Sequence, residues 1–235
     1  MVRVEWRDRV VVVTIDRPER RNAVDHATLL DLAAAQRDAL DGDARALVLT
    51  GAPPAFCAGA DLTGVESGEF VDALVTVLAG FTQLPMVTIA AVDGPALGAG
   101  TQLAIACDLR VASPTSPFGI PAAKLGLAVD RWTIDRLSAE FGASVARSML
   151  LAAQTATAEQ LHVTGAVHRL GGLADALVWA DELAHLAPLT IRAHKLGLEA
   201  DERFEAARVA AWASADAEEG RLAFLEKRPP VFRAE

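Results

Sequence analysis

The residues most able to do chemistry lie between Gly94 and Ser113, in GPALGAGTQLAIACDLRVAS. The stretch reads as a glycine-rich turn, a short buried helix and a strand. Gly98, Ala99 and Gly100 let a backbone approach a ligand closely, and the first N–H groups of a helix are free donors suited to an oxygen that gains negative charge. A tight turn before a buried helix, with no ligand, would need the same residues. The polar group with reach on this helix is the amide of Gln102, which cannot usefully give or take a proton. The pattern therefore offers charge stabilisation without an evident acid or base.

Other residue types add little. His26, His162, His168, His185 and His194 show no metal-ligand spacing, so no metal site is expected. Cys57 and Cys107 sit in apolar surroundings without a CxxC pair and read as buried free thiols. No Ser-His-Asp arrangement is apparent. Asp130 in LGLAVDRW has three open readings. It could cap the helix RWTIDRL, serve as a polar pocket group, or shuttle protons with a pKa raised by an apolar setting.

The elements that must position these groups follow from patterning. VRVEW and VVVTID flank a polar RDR and predict a hairpin. Asp25 is a candidate N-cap for a helix through HATLLDLAAAQRDAL, and ARALVLTG and MVTIAAV read as strands buried on both faces. Between them EFVDALVTVLAGFTQL places Phe70, Leu74, Val77, Leu78 and Phe81 at helical spacing. This order predicts an α/β fold with a parallel sheet and crossover helices. After about Asp130 the chain turns helical, with only AVHRL read as a strand, and from Pro188 to Phe232 it reads as helix throughout. Apolar positions left exposed on such a tail suit packing on a neighbour.

Composition narrows the function classes. The chain has 235 residues, of which 52% are hydrophobic, and a formal net charge of −9, which argues against nucleic acid as a partner. MVRVEWRDRV has no apolar segment, and LPMVTIAAV is too short to span a bilayer. A cytoplasmic protein with no membrane span is expected.

Four stretches taken together carry a resemblance. RPERRNAV, AFCAGADL, VDGPALGAG with its following CDLRVA and FGIP, and the closing EKRPPVF occur in the order and approximate spacing of the crotonase superfamily, or enoyl-CoA hydratase/isomerase family. The resemblance covers essentially the whole chain. It implies a crotonase-like spiral of ββα units over residues 1–187 and a helical trimerisation region over 188–235, in a homotrimer or a dimer of trimers. It also implies binding of fatty acyl-CoA, with no other cofactor, and a thioester oxygen held by the N–H groups of Ala60 and Ala99.

The same resemblance assigns further roles and exposes two gaps. CoA would lie along Arg20, Arg21, Ala58 and Leu62, with Lys227 reaching a neighbour's phosphate and Phe232 closing the neighbour's cleft. Phe118 and Trp132 would line the acyl pocket or the core, while the Phe70 helix and the loop TGVESGEF would shape the tunnel. Asp61 would hold its loop. The family's hydratases use two glutamates; their positions here carry Gln102 and Ala122. Asp130 falls where some family isomerases and dehalogenases keep a functional aspartate. The expectation is an acyl-CoA-binding protein with little hydratase activity, the alternative an active hydratase, isomerase or hydrolase using Asp130.

Overall fold

The computed structural model describes residues 1–63 and 68–235. A hairpin of β1 (Val2–Arg7) and β2 (Val10–Ile15) leads to α1 (His26–Asp41), β3 (Ala46–Gly51), α2 (Gly68–Gln83) and β4 (Val87–Val92). Then come β5 (Ala96–Leu97), α3 (Ala99–Ala106), β6 (Leu109–Ala112), β7 (Pro117–Gly119), α4 (Arg131–Phe141) and α5 (Ala143–Leu151). The chain continues through β8 (Ala156–Thr157), α6 (Ala158–Val163), β9 (Arg169–Leu170) and α7 (Leu173–Ala184) to α8 (Pro188–Leu198), α9 (Phe204–Trp212) and α10 (Ala215–Glu226).

A six-stranded sheet, ordered β1-β2-β3-β4-β6-β9, is parallel except for the antiparallel β1–β2 hairpin. Its central strands β2, β3 and β4 are mostly apolar because both faces are covered, whereas the edge strands β1 and β9 are largely exposed. Leu47, Leu49, Ala90 and Val92 face one core shared with Leu29 and Leu32 of α1 and Val77 and Leu78 of α2. The alternate residues Ala46, Val48, Ile89 and Ala91 face a second core with Ala176 and Ala180 of α7. The period-two alternation of a strand thus sorts one sequence into two layers. A three-stranded sheet of β5, β7 and β8 stands apart from the large one.

The helical tail differs from its sequence reading. It breaks at residues 199–203 and 213–214, and after Glu226 the chain leaves helix altogether. Pro229 and Pro230 follow at once, and proline cannot continue a helix. The last residues fold back along α10, where the Asp216 carboxylate accepts from the N–H groups of Arg233 and Ala234. Lys195 of α8 is buried and donates to Asp108 Oδ2 at 2.6 Å and to the Met86 carbonyl at 2.9 Å, tying the tail to the sheet. No helix among the described residues is long and apolar enough to cross a membrane.

Candidate active site

Adjacent parallel strands β2, β3 and β4 end at Ile15, Gly51 and Val92, so the loops that follow leave one edge of the sheet together. Ligands in open parallel sheets bind at that edge. Buried polar groups fix these loops. Arg17, almost fully buried, donates to Asp61 Oδ2 at 3.1 Å and forms an ion pair with Asp25 Oδ2 at 2.9 Å. Asn22 accepts from the Arg17 N–H at 2.9 Å and donates to the carbonyls of Ala52 and Ala55 at 2.6 Å. Asp61 also accepts from the Thr63 hydroxyl at 2.7 Å, and that bond, followed by Arg17, holds its carboxyl below the usual range. It is a loop anchor.

Two main-chain donors remain free where these loops meet. In the bridge between Val24 and Ala60, the Gly59 carbonyl accepts from Val24 and the Asp61 N–H donates to the Val24 carbonyl. That pairing uses both neighbours of Ala60 and leaves its own N–H turned away. Ala99 is the first residue of α3, where an N–H has no intrahelical acceptor. Among the described residues neither N–H has a partner. Gly59, at φ 119°, lies against the Leu97 carbonyl, and a Cβ on Gly98, at φ 54°, would come within 3.7 Å of the Gly59 Cα. The two loops therefore touch backbone to backbone, which brings the Ala60 and Ala99 turns side by side. Gly100 seats α3: a Cβ there would lie 2.2 Å from the Cys57 carbonyl oxygen.

Gln102 is nearly buried, and its Nε2 donates to the Thr133 hydroxyl at 2.7 Å. Asp130 caps α4. Its Oδ1 accepts from the Thr133 N–H at 2.8 Å and its Oδ2 from the Thr133 hydroxyl at 3.1 Å, an arrangement worth about 1 kcal/mol. Ala122 lies half-buried in the 3₁₀ turn Pro121–Leu125 and lines an apolar cavity of about 410 Å³ together with Leu127, Val129, Ile134, Ala146 and Leu150.

The remaining candidates scatter. Arg20, Arg21 and Leu62 are exposed and Ala58 is half-buried; Ala58 donates its N–H to the Arg21 carbonyl at 3.0 Å. Phe118 belongs to the core, fully buried and edge-on to Phe141 at 5.8 Å. Phe70 is buried on α2, and Trp132 is half-buried against the same core. Of the loop TGVESGEF, residues 64–67 lie outside the described residues. Lys227 is exposed at the end of α10. Phe232, half-buried, lies near Gly220 of its own α10. Cys57 and Cys107 are free and fully buried, and burial pushes both thiols up to about 12. His168 accepts from the Arg110 N–H, and burial, then the Arg110 charge, lowers it to about 4. No metal-holding cluster occurs among the described residues.

Residues 5–235 match the family model described as enoyl-CoA hydratase/isomerase. The chain belongs to that family. It is 45% identical over 99% of both chains to the probable enoyl-CoA hydratase echA6 of Mycobacterium tuberculosis, and 41% identical over the same shares to that of Mycobacterium leprae. A putative enoyl-CoA hydratase/isomerase family protein from Hyphomonas neptunium superposes with a TM-score of 0.91 at 28% identity, covering 100% of this chain and 98% of that one. A probable enoyl-CoA hydratase/isomerase from Mycobacterium abscessus gives a TM-score of 0.87 at 37% identity, covering 100% and 98%. The sheet of ββα units is thus the crotonase fold.

Sequence reasoning missed Arg17, Asn22, Thr133 and Lys195. Arg17 and Asn22 both lie inside RPERRNAV, where nothing local separates Arg17 from the exposed Arg20 and Arg21. Thr133 stands three residues after the cap candidate Asp130, the usual position of a capped N–H. Nothing local marks Lys195.

Proposed function

We propose that this chain binds fatty acyl-CoA thioesters through the Ala60 and Ala99 N–H groups, in lipid metabolism, and hydrates them poorly if at all. One observation carries the reading: two main-chain donors, unpaired among the described residues, meet where the loops converge, while Gln102 and Ala122, on the elements beside them, present nothing ionisable. Paired N–H groups suit a thioester oxygen, whose negative charge grows as the carbonyl is polarised. Hydration further requires water to be deprotonated and the α-carbon protonated. Each missing acid–base group typically costs about 10² to 10⁴ in rate.

The rest of the ligand finds matching chemistry. The apolar cavity beginning at Ala122 suits an acyl chain. Arg20 and Arg21 offer cations for CoA phosphates, with Ala58 and Leu62 beside them and Lys227 supplied by a neighbouring subunit of a homotrimer or a dimer of trimers. Residues 188–235 serve assembly, the protein acts in the cytoplasm, and no cofactor beyond the CoA thioester is needed. The relatives' names attach hydratase activity to this fold. An enzyme using Asp130 is the competing reading, but both oxygens of that carboxylate are engaged by Thr133.

Calorimetric titration with saturated acyl-CoA, beside the loss of enoyl absorbance from crotonyl-CoA, tests the proposal. Saturable binding with negligible hydration is expected. Rapid hydration overturns it.

A further inference from the structure

The apolar cavity that Ala122 lines has a single charged residue in its wall. Five of its lining residues come from α5: Ala143, Ala146, Arg147, Leu150 and Leu151. Positions three, four, seven and eight after the first form one stripe along a helix. Arg147 therefore stands mid-stripe, with apolar residues a turn away on either side. Ser138 of α4 lines the cavity as well, but its hydroxyl donates to the Ile134 carbonyl at 2.8 Å. The guanidinium is thus the side-chain donor this wall offers a ligand. The acids on the neighbouring helix are engaged elsewhere. Asp130 accepts from Thr133, Asp135 pairs with Arg131 at 2.7 Å, and Glu140 pairs with Arg136 at 3.4 Å and with Arg110. Residues 143–151 hold no acid. Arg147 is exposed, and among the described residues it makes neither an ion pair nor a side-chain hydrogen bond.

A guanidinium matches a carboxylate with two parallel N–H donors, whereas a carboxylate entering an apolar cavity unpaired is costly. We propose that the cavity takes acyl thioesters whose far end carries a carboxylate, the mono-thioesters of dicarboxylic acids, with Arg147 as the specificity-determining residue. Helix α4 joins the two ends of such a ligand. Its Thr133 bonds to Gln102 on the helix that Ala99 opens, and its Ile134 and Ser138 line the cavity. The inference rests on the acyl-CoA binding proposed above.

Calorimetric titration of the whole protein tests it, using pairs of acyl-CoA of equal chain length, one member ending in methyl and the other in carboxylate, over several lengths. At the length that spans the cavity the carboxylate form should bind about tenfold tighter, as for a hydrogen bond to a charged group. Added salt should shrink that preference, because the cation is exposed. In Arg147→Met, which keeps an unbranched apolar side chain, the ratio should fall to one or below. Arg147→Lys should keep part of it, since the charge stays and the fork is lost. Methyl forms that bind as tightly as their carboxylate partners at every length overturn this inference and leave acyl-CoA binding standing. So does a preference that survives Arg147→Met, or a variant that weakens both forms equally, the result expected if the guanidinium held a CoA phosphate. Absence of binding by any thioester overturns both readings.

Discussion

The two halves of the candidate site are made of different material. Ala60 and Ala99 offer main-chain groups, and their side chains matter only in being small. Gln102 and Ala122 occupy positions where only the side chain could act. The first half depends on contacts remote from any ligand: the Arg17 ion pairs, the Asn22 bridges, and the close approach of Gly59 to Gly98. The second half depends on one functional group at each place. A fold can therefore keep a pair of main-chain donors with no proton-transfer groups beside it, because the two are specified separately.

Substitutions can break that contrast. The largest effect is expected for Gly100→Ala, whose new Cβ would meet the Cys57 carbonyl oxygen at 2.2 Å. Backbone cannot move aside as a side chain can, so a loss of about 3 kcal/mol in chemical unfolding is expected. An unchanged midpoint would show that α3 is not seated by this contact. Restoring both carboxylates, as Gln102→Glu with Ala122→Glu, should raise crotonyl-CoA hydration by about 10²-fold. Gln102→Glu alone should gain little, since Asp130 already holds the Thr133 proton. A silent double variant would mean that more than two groups are missing.

The smallest effect isolates a single donor. Ala99→Pro deletes one N–H at the first helical position, where proline is tolerated. Acyl-CoA affinity should fall about tenfold, as for one hydrogen bond, with the unfolding midpoint unchanged. If affinity holds while hydration in the double-glutamate background also holds, the Ala99 donor is not part of the grip.

Much of this was legible in sequence because the signals were local. The apolar runs of β3 and β4, the spacing of Phe70, Leu74, Val77 and Phe81, and the caps Asp25 and Asp130 each reveal themselves within a few residues. The sheet of β5, β7 and β8 did not, since its strands are two or three residues long and pair across distances no local pattern reports. Phe118 shows the same limit: an aromatic beside Pro117 fits a pocket wall or a core, and only its full burial edge-on to Phe141 decides. Arg17 and Lys195 were invisible for a related reason. A buried cation is stable when distant carboxylates and carbonyls converge on it, and Asp61 and Asp108 lie far off in sequence. The hydrogen-bonded link from Gln102 to Asp130 likewise exists only once three side chains meet at one hydroxyl.

The seating of α3 on Cys57 has a practical corollary. The sequence holds two cysteines, and both are shut away with their protons firmly held. Alkylating reagents attack thiolates and need access, so a native molecule offers them almost nothing. Each adduct then marks one excursion in which the packing came apart, and the ratio of adducts at Cys57 to those at Cys107 becomes a stopwatch for the loop beneath α3.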